Sequence, residues 1–208
     1  MEPVPSRKYE QRLRAESAEA TRRRILDAGY AAIRAHPGQP VSVDAIARAA
    51  GASRSTVYLV FGSRTGLLEA LRRDVIERGG YRELLEATSH PDAREHLRGG
   101  IRAGVRIFAA DRDVLRTLQI LGRFDEAGGP VDAWDEERSR GMARVAGRLH
   151  EQGLLRPDTT PEEAAHILWV LTSFDAFDLL YSDRGLPEEE VARLLAATAE
   201  RAVCVPAT

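Results

Sequence analysis

The sequence predicts an all-α fold: an N-terminal three-helix helix-turn-helix domain and a larger C-terminal helical domain, about nine to ten helices together. Three observations lead there. Apolar residues recur at helical spacing along nearly the whole chain, with no alternating run that argues for a strand and no internal repeat. Breakers divide that pattern at His36-Pro37-Gly38, Gly79-Gly80, His90-Pro91, Gly128-Gly129-Pro130, Arg156-Pro157 and Gly185-Leu186-Pro187. The stretch VSVDAIARAAGASRSTVYLVF, residues 41–61, reads as two short helices around a tight turn.

Taken in order, residues 1–17 hold Pro3 and Pro5 with few apolar side chains and read as a flexible arm. The first helix spans Ala18–Ala35; Ile25, Gly29, Ala32 and Ile33 share its inner face, and Gly29 lets another helix cross closely. Ser42 reads as an N-cap for a short helix that buries Val43, Ile46, Ala47 and Ala50. Gly51 sits where the turn needs positive φ, and Ser53 caps the next helix. On that helix Val57 and Phe61 point inward and Arg54, Ser55, Thr56 and Tyr58 point out. Gly62 ends it, and Ser63 caps a fourth helix, Arg64–Arg78, with Leu67, Leu68, Leu71, Val75 and Ile76 as its buried stripe. The remaining helices are read at Tyr81–Thr88, Asp92–Ala110, Val114–Phe124, Val131–Gly153, Pro161–Ser182 and Pro187–Val203. Pro161 and Pro187 suit a first helical turn, and the glutamates after each favour the positive end of the helix dipole. These breaks divide the chain into an arm at 1–17, a helix-turn-helix domain at 18–79 and a second domain at 80–208.

The 208 residues carry 43% hydrophobic and 30% charged side chains, an ordinary globular balance. No apolar run approaches the roughly 20 residues of a membrane span, and the N-terminus lacks the apolar core of a secretory signal. The single cysteine, Cys204, excludes an internal disulfide framework and suits a reducing cytoplasm. The net charge of −2 is unevenly spread: Met1–Gly80 carries 14 basic and 9 acidic residues, and the remainder is correspondingly acidic. A basic head on an acidic body suits a polyanion partner, although chance clustering of solvated charge gives the same count. The outward face of residues 54–58 has the chemistry to read a duplex. Arg54 can bond guanine O6 and N7, Thr56 can meet a thymine methyl or a phosphate, and Tyr58, Ser42 and Arg64 suit the phosphate backbone.

The run RRRILDAGYAAIRAHPGQPVSVDAIARAAGASRSTVYLVFGSRTGLLEAL resembles the DNA-binding domain of TetR-family transcriptional regulators. The resemblance spans about Arg22 to Leu71: the ILDA element, the hydroxyl cap before DAIARAAG, the S-x-S-T-V-Y helix and the F-G-S-R-x-x-L-L exit. It implies a homodimer that binds double-stranded DNA at a palindromic operator, with a C-terminal domain that binds a small-molecule effector of unknown identity and dimerises. Carried over position by position, it implies DNA contacts at Ser42, Ser53, Arg54, Ser55, Thr56, Tyr58 and Arg64, the last standing where the family usually has lysine. Leu59 and Val60 depart from the family, which often has aromatic residues or histidine there.

In the second domain, Arg106, Phe108, Leu121, Phe124, Trp134, His166, Trp169, Phe174 and Phe177 are the candidates for an effector pocket, with the aromatics as apolar wall and Arg106 and His166 as polar anchors. Aromatics at helical spacing equally fill a core or a dimer interface. Asp175 and Asp178 on an apolar helix face solvent, pair with arginine across a dimer, or enter the pocket. Glu163-Ala-Ala-His166 has the Glu-x-x-His spacing of di-iron bundles, but no second copy follows among the five histidines. No phosphate loop, nucleophile elbow, metal set or cofactor motif is present, and the chain does not read as an enzyme. The expected activity is a repressor released by its effector. An activator or an effector-independent regulator of the same fold stands beside it, and a helical-bundle enzyme stands further off.

Overall fold

The structure, a computed structural model, describes residues 7–39, 41–123 and 133–206, with side chains over 11–13, 15–39, 41–121 and 135–206. Eleven α-helices form among the described residues: α1 (Arg7–Ala35), α2 (Val43–Ala49), α3 (Arg54–Phe61), α4 (Arg64–Arg78), α5 (Tyr81–Thr88), α6 (Ala93–Ala110), α7 (Arg112–Arg123), α8 (Ala133–Glu151), α9 (Pro161–Leu171), α10 (Phe174–Asp178) and α11 (Glu188–Val203). A π-helical turn, Leu179–Asp183, continues α10. Among the described residues no strand forms, only one antiparallel bridge between Leu155 and Cys204.

Two elements differ from the sequence expectation. Residues 7–17, expected in a flexible arm, belong to α1. They contain no breaker, and Arg12 pairs with Glu16 one turn on at 3.4 Å. The helix expected over Pro161–Ser182 is broken after Leu171, which raises the count to eleven. Thr172 and Ser173 turn their hydroxyls onto the carbonyls of Leu168 and Val170, at 2.7 and 2.8 Å. The Ser173 hydroxyl also accepts from Ala176 N–H and so starts α10 as its N-cap. Adjacent hydroxyl residues thus offer the backbone an alternative to the helical ladder.

The chain forms two compact units. One comprises the described residues of Met1–Arg72 and Asp113–Gly128; the other those of Arg73–Arg112 and Gly129–Thr208. In the first unit, Ile25, Leu26, Ile33, Ile46, Val57, Leu67 and Leu71 are fully buried. Gly29 is the close-approach point: a Cβ there would lie 2.9 Å from Leu71 Cδ2. One turn along, Tyr30 donates its hydroxyl to the Leu71 carbonyl at 3.0 Å. The turn after α1 is tied to α7, where the buried Thr117 hydroxyl accepts from Gly38 N–H at 3.0 Å.

In the second unit, α6 packs against α5, α8, α10 and α11, while α9 packs on α8 and α11. Leu149, Leu168, Phe177, Val191, Ala199 and Val203 are fully buried between them. Polar clamps close the α6–α11 seam: Arg98 pairs with Glu200 through Nε and Nη2, and Arg94 Nη2 donates to the Val205 carbonyl at 2.7 Å. The lone Cys204 lies under this seam, 3% exposed, and burial pushes its thiol above its ordinary pKa.

Candidate nucleic-acid interface and an open cavity

The polar end of α3 is a cluster of hydroxyls and one arginine. Ser53 holds extended backbone (φ −83°, ψ 157°), and its Oγ accepts from Thr56 N–H at 3.0 Å, so it caps the helix. The same Oγ lies 2.7 Å from Ser55 Oγ and 2.7 Å from Thr56 Oγ1. Ser42 occupies the N-cap position of α2, but its hydroxyl makes no capping bond and stands exposed. Gly51 (φ +62°) makes the turn between the two helices, as its place in the sequence requires.

Arg54 lies across the outer surface of these helices. Its Nη1 bonds Asp44 Oδ2 at 3.1 Å, its Nη2 donates to the Tyr58 hydroxyl at 3.2 Å, and its guanidinium sits 5.5 Å from the Tyr58 ring centre. The tyrosine bond first, then the Asp44 charge, raise the Arg54 pKa above its ordinary value. Arg54 and Asp44 are 60% and 46% exposed, so the pair is screened by water and opens at little cost. Tyr58 accepts from Arg54 through its oxygen and keeps its O–H to donate elsewhere. Arg64 opens α4, half-exposed, immediately after Ser63, whose Oγ accepts from Gly66 N–H at 2.9 Å.

Two residues here went unnoticed in the sequence, and a third, Leu59, stood out there only as a departure from the family. Asp44 restrains Arg54; its signal was an acidic side chain in the first turn of α2. Gly66 lets α4 fold back onto the end of α3, because a Cβ there would collide with the Phe61 carbonyl oxygen. Leu59 is 86% exposed on α3, where it presents a methyl surface of the kind that thymine methyls meet.

The second unit contains a cavity of about 260 Å³ lined by α5, α6 and α8, with Thr172, Ser173 and residues of α10 and α11. Of the nine pocket candidates, Phe108 and Phe177 line it. Phe174 packs edge-on against Phe108 at 5.5 Å and supports that wall without lining it. Trp169 spends its ring and carbonyl on Arg138, which stacks 3.3 Å from the ring centre and donates to the carbonyl at 2.8 Å. His166 is 77% exposed beside Glu162, away from the cavity. Arg106 is 64% exposed and 3.9 Å from Glu188 in a groove between α6 and α11. Leu121 is buried in the first unit. Phe124 and the side chain of Trp134 lie outside the described residues.

The polar lining of the cavity comes instead from His96, Glu137, Arg138, Arg144 and Arg148. Their signal was spacing: Arg138, Met142, Val145 and Arg148 share one face of α8 with helical period. His96 is buried, and its pKa is pushed down to about 4 by burial first and then by Arg148 and Arg144. Asp178 is buried but accepts from Arg112 Nε and from Ser182 Oγ, each at 2.6 Å, so it is satisfied within the chain. Asp175 is exposed. Glu163 accepts from Thr160 N–H at 2.8 Å in a capping box, which gives this carboxylate a structural task. Among the described residues, no group of three or more His, Cys, Asp or Glu side chains is placed to hold a metal.

An exposed polar helix presented by a tight helix-turn-helix is the geometry with which proteins enter a DNA major groove. Residues 25–71 match the sequence profile described as "Bacterial regulatory proteins, tetR family". Solved structures agree in fold. NalD, the secondary repressor of the MexAB-OprM multidrug efflux pump in Pseudomonas aeruginosa, is 24% identical over 91% of this chain and 98% of its own, with TM-score 0.68. The fatty acid degradation regulator FadR from Bacillus halodurans is 16% identical over 86% of this chain and 94% of its own, with TM-score 0.70. The SmeT–triclosan complex is 21% identical over 91% and 96%, with TM-score 0.63. No curated protein matches the chain in sequence. No helix among the described residues is long and apolar enough to cross a membrane.

Proposed function

We propose that this protein is a cytoplasmic homodimeric repressor, bound to a palindromic operator and released from it by a small-molecule effector. The observation that carries the reading is the division of labour: residues 18–79 present the hydroxyl–arginine face of α3, and residues 80–208 hold a largely apolar cavity with a few convergent polar groups. Ser42, Ser53, Arg54, Ser55, Thr56, Tyr58 and Arg64 contact the duplex. Arg54 leaves Asp44 to read a guanine, while Tyr58 and Arg64 set the register on phosphates. Two heads in the dimer reach successive major grooves about 34–36 Å apart. Effector binding favours a conformation with the wrong spacing, to the extent that the effector binds it better. NalD is a repressor and SmeT takes triclosan, which is consistent with this scheme.

The test is a gel shift with the DNA flanking the gene, in the presence and absence of a panel of amphipathic compounds. A specific complex that a compound dissolves is the expected result. No binding to any duplex at low salt rejects the reading, and binding that no compound relieves favours an effector-independent regulator.

A further inference from the structure

The cavity runs along one face of α8, from Arg138 to Arg148, which ten residues of helix spread over about 15 Å. Its apolar wall includes Leu97, Ile101, Val105, Phe108 and Phe177. Its charge is unbalanced. Among the described residues three arginines line it against one glutamate, and Glu137 is already held by Arg144 at 2.9 Å and Arg140 at 3.0 Å. His96 faces Arg148 and is neutral at physiological pH.

The two end arginines differ in what they have left to give. Arg148 Nη1 is 2.7 Å from His96 Nδ1 and Nη2 donates to the carbonyls of His90 and Pro91 at 2.6 and 2.7 Å, closing off the end of α5. Arg138 Nη1 donates to the Trp169 carbonyl at 2.8 Å and the Thr172 hydroxyl at 3.2 Å, capping α9. Its Nη2 makes no hydrogen bond to a described residue and is not fully buried, while the side chain as a whole is 12% exposed. Its ion pair with Asp135 is loose, at 3.7 Å, and burial lowers the pKa of the guanidinium. A cation so desolvated and so weakly paired gains from an anion brought in with a ligand.

We propose that the cavity takes an elongated apolar molecule ending in one carboxylate, the acid seated on Arg138 and the hydrocarbon laid along α8 toward His96. This deepens the reading that residues 80–208 bind the effector and rests on it. A cationic ligand meets three arginines. A neutral one leaves Arg138 with only its 3.7 Å contact to Asp135. A volume of about 260 Å³ lies near the small end of ligand sites and suits one slim chain better than a polycyclic body.

Titration calorimetry of the full-length protein with sodium decanoate and with 1-decanol, each below its solubility limit, tests this. Decanoate is expected to bind at least tenfold more tightly than decanol. Arg138→Met is expected to abolish that preference while leaving decanol affinity within about twofold, and Arg138→Lys to keep part of it, a pattern that loss of the α9 cap alone does not produce. Circular dichroism establishes that the variants fold, and if Arg138→Met does not, the wild-type preference and Arg138→Lys decide. Equal or tighter binding of decanol, binding of neither compound, or a preference that survives Arg138→Met overturns the proposal. Those results in a protein that still binds and releases its operator leave the regulator reading intact. Failure to shift any duplex rejects that reading and leaves the titration to stand by itself.

Discussion

Lowering the pH from about 7.5 to about 5 is expected to cost the protein about 2 kcal/mol of stability through His96 alone. The ring is buried on α6 with Nδ1 2.7 Å from Arg148 Nη1. A guanidinium nitrogen only donates, so Nδ1 must accept and must stay unprotonated. Burial and the neighbouring arginines push the group from 6.5 to about 4. Between those values the unfolded chain holds a proton on this ring that the folded chain refuses, so stability falls as the pH falls. The full stability is present above about pH 6.5 and is eroded down to about pH 4. At about 1.4 kcal/mol per pH unit the ceiling is about 3 kcal/mol, of which about 2 kcal/mol is lost by pH 5. Urea denaturation at both pH values, on wild type and His96→Gln, isolates the effect. The glutamine amide oxygen accepts from Arg148 but does not titrate. Wild type should lose about 2 kcal/mol more than the variant; parallel losses in the two proteins refute the reasoning.

The head allows three further predictions. Gly29→Val drives a branched side chain into the fully buried Leu71 and should destabilise the protein by about 1–3 kcal/mol in thermal or urea unfolding. Ser53→Ala removes a cap bond and should cost about 1 kcal/mol, whereas Ser42→Ala, which removes none, should stay within about 0.5 kcal/mol in the same assay. In fluorescence anisotropy on operator and scrambled duplexes, Arg54→Ala should lose about 1–3 kcal/mol of sequence preference; Arg64→Ala should weaken both duplexes alike and lower the salt slope by about 1.

The head was legible because its residues each do one local thing. Gly51 and Gly62 take positive φ, Ser53 caps, Val57 is buried, and Gly29 meets Leu71, all as the pattern of types requires. What periodicity missed was competition. Helical periodicity runs unbroken from Pro161 to Ser182, and only the hydroxyls of Thr172 and Ser173, bonding back to carbonyls, divide it. The cavity lining was legible only in part, for a related reason. Aromatic residues suggested a pocket wall, yet Trp169 and Phe174 support neighbours, and the polar lining is supplied by arginines that look like solvated charge in sequence. An arginine joins a cavity when its own helix has other work for it, here capping α9 and closing α5, and tertiary partners of that kind leave no local trace.

Burial of Cys204 gives the chain a practical property. A thiol 3% exposed, with its pKa pushed up, reacts slowly with maleimides and other thiolate-directed labels. The wild-type protein is therefore close to a silent background for single-cysteine spectroscopy. A cysteine placed at Leu59, whose side chain is already 86% in water, would carry one spin label or fluorophore per head. In the proposed dimer, the distance between two such labels would measure the spacing of the two α3 helices in solution, before and after decanoate is added.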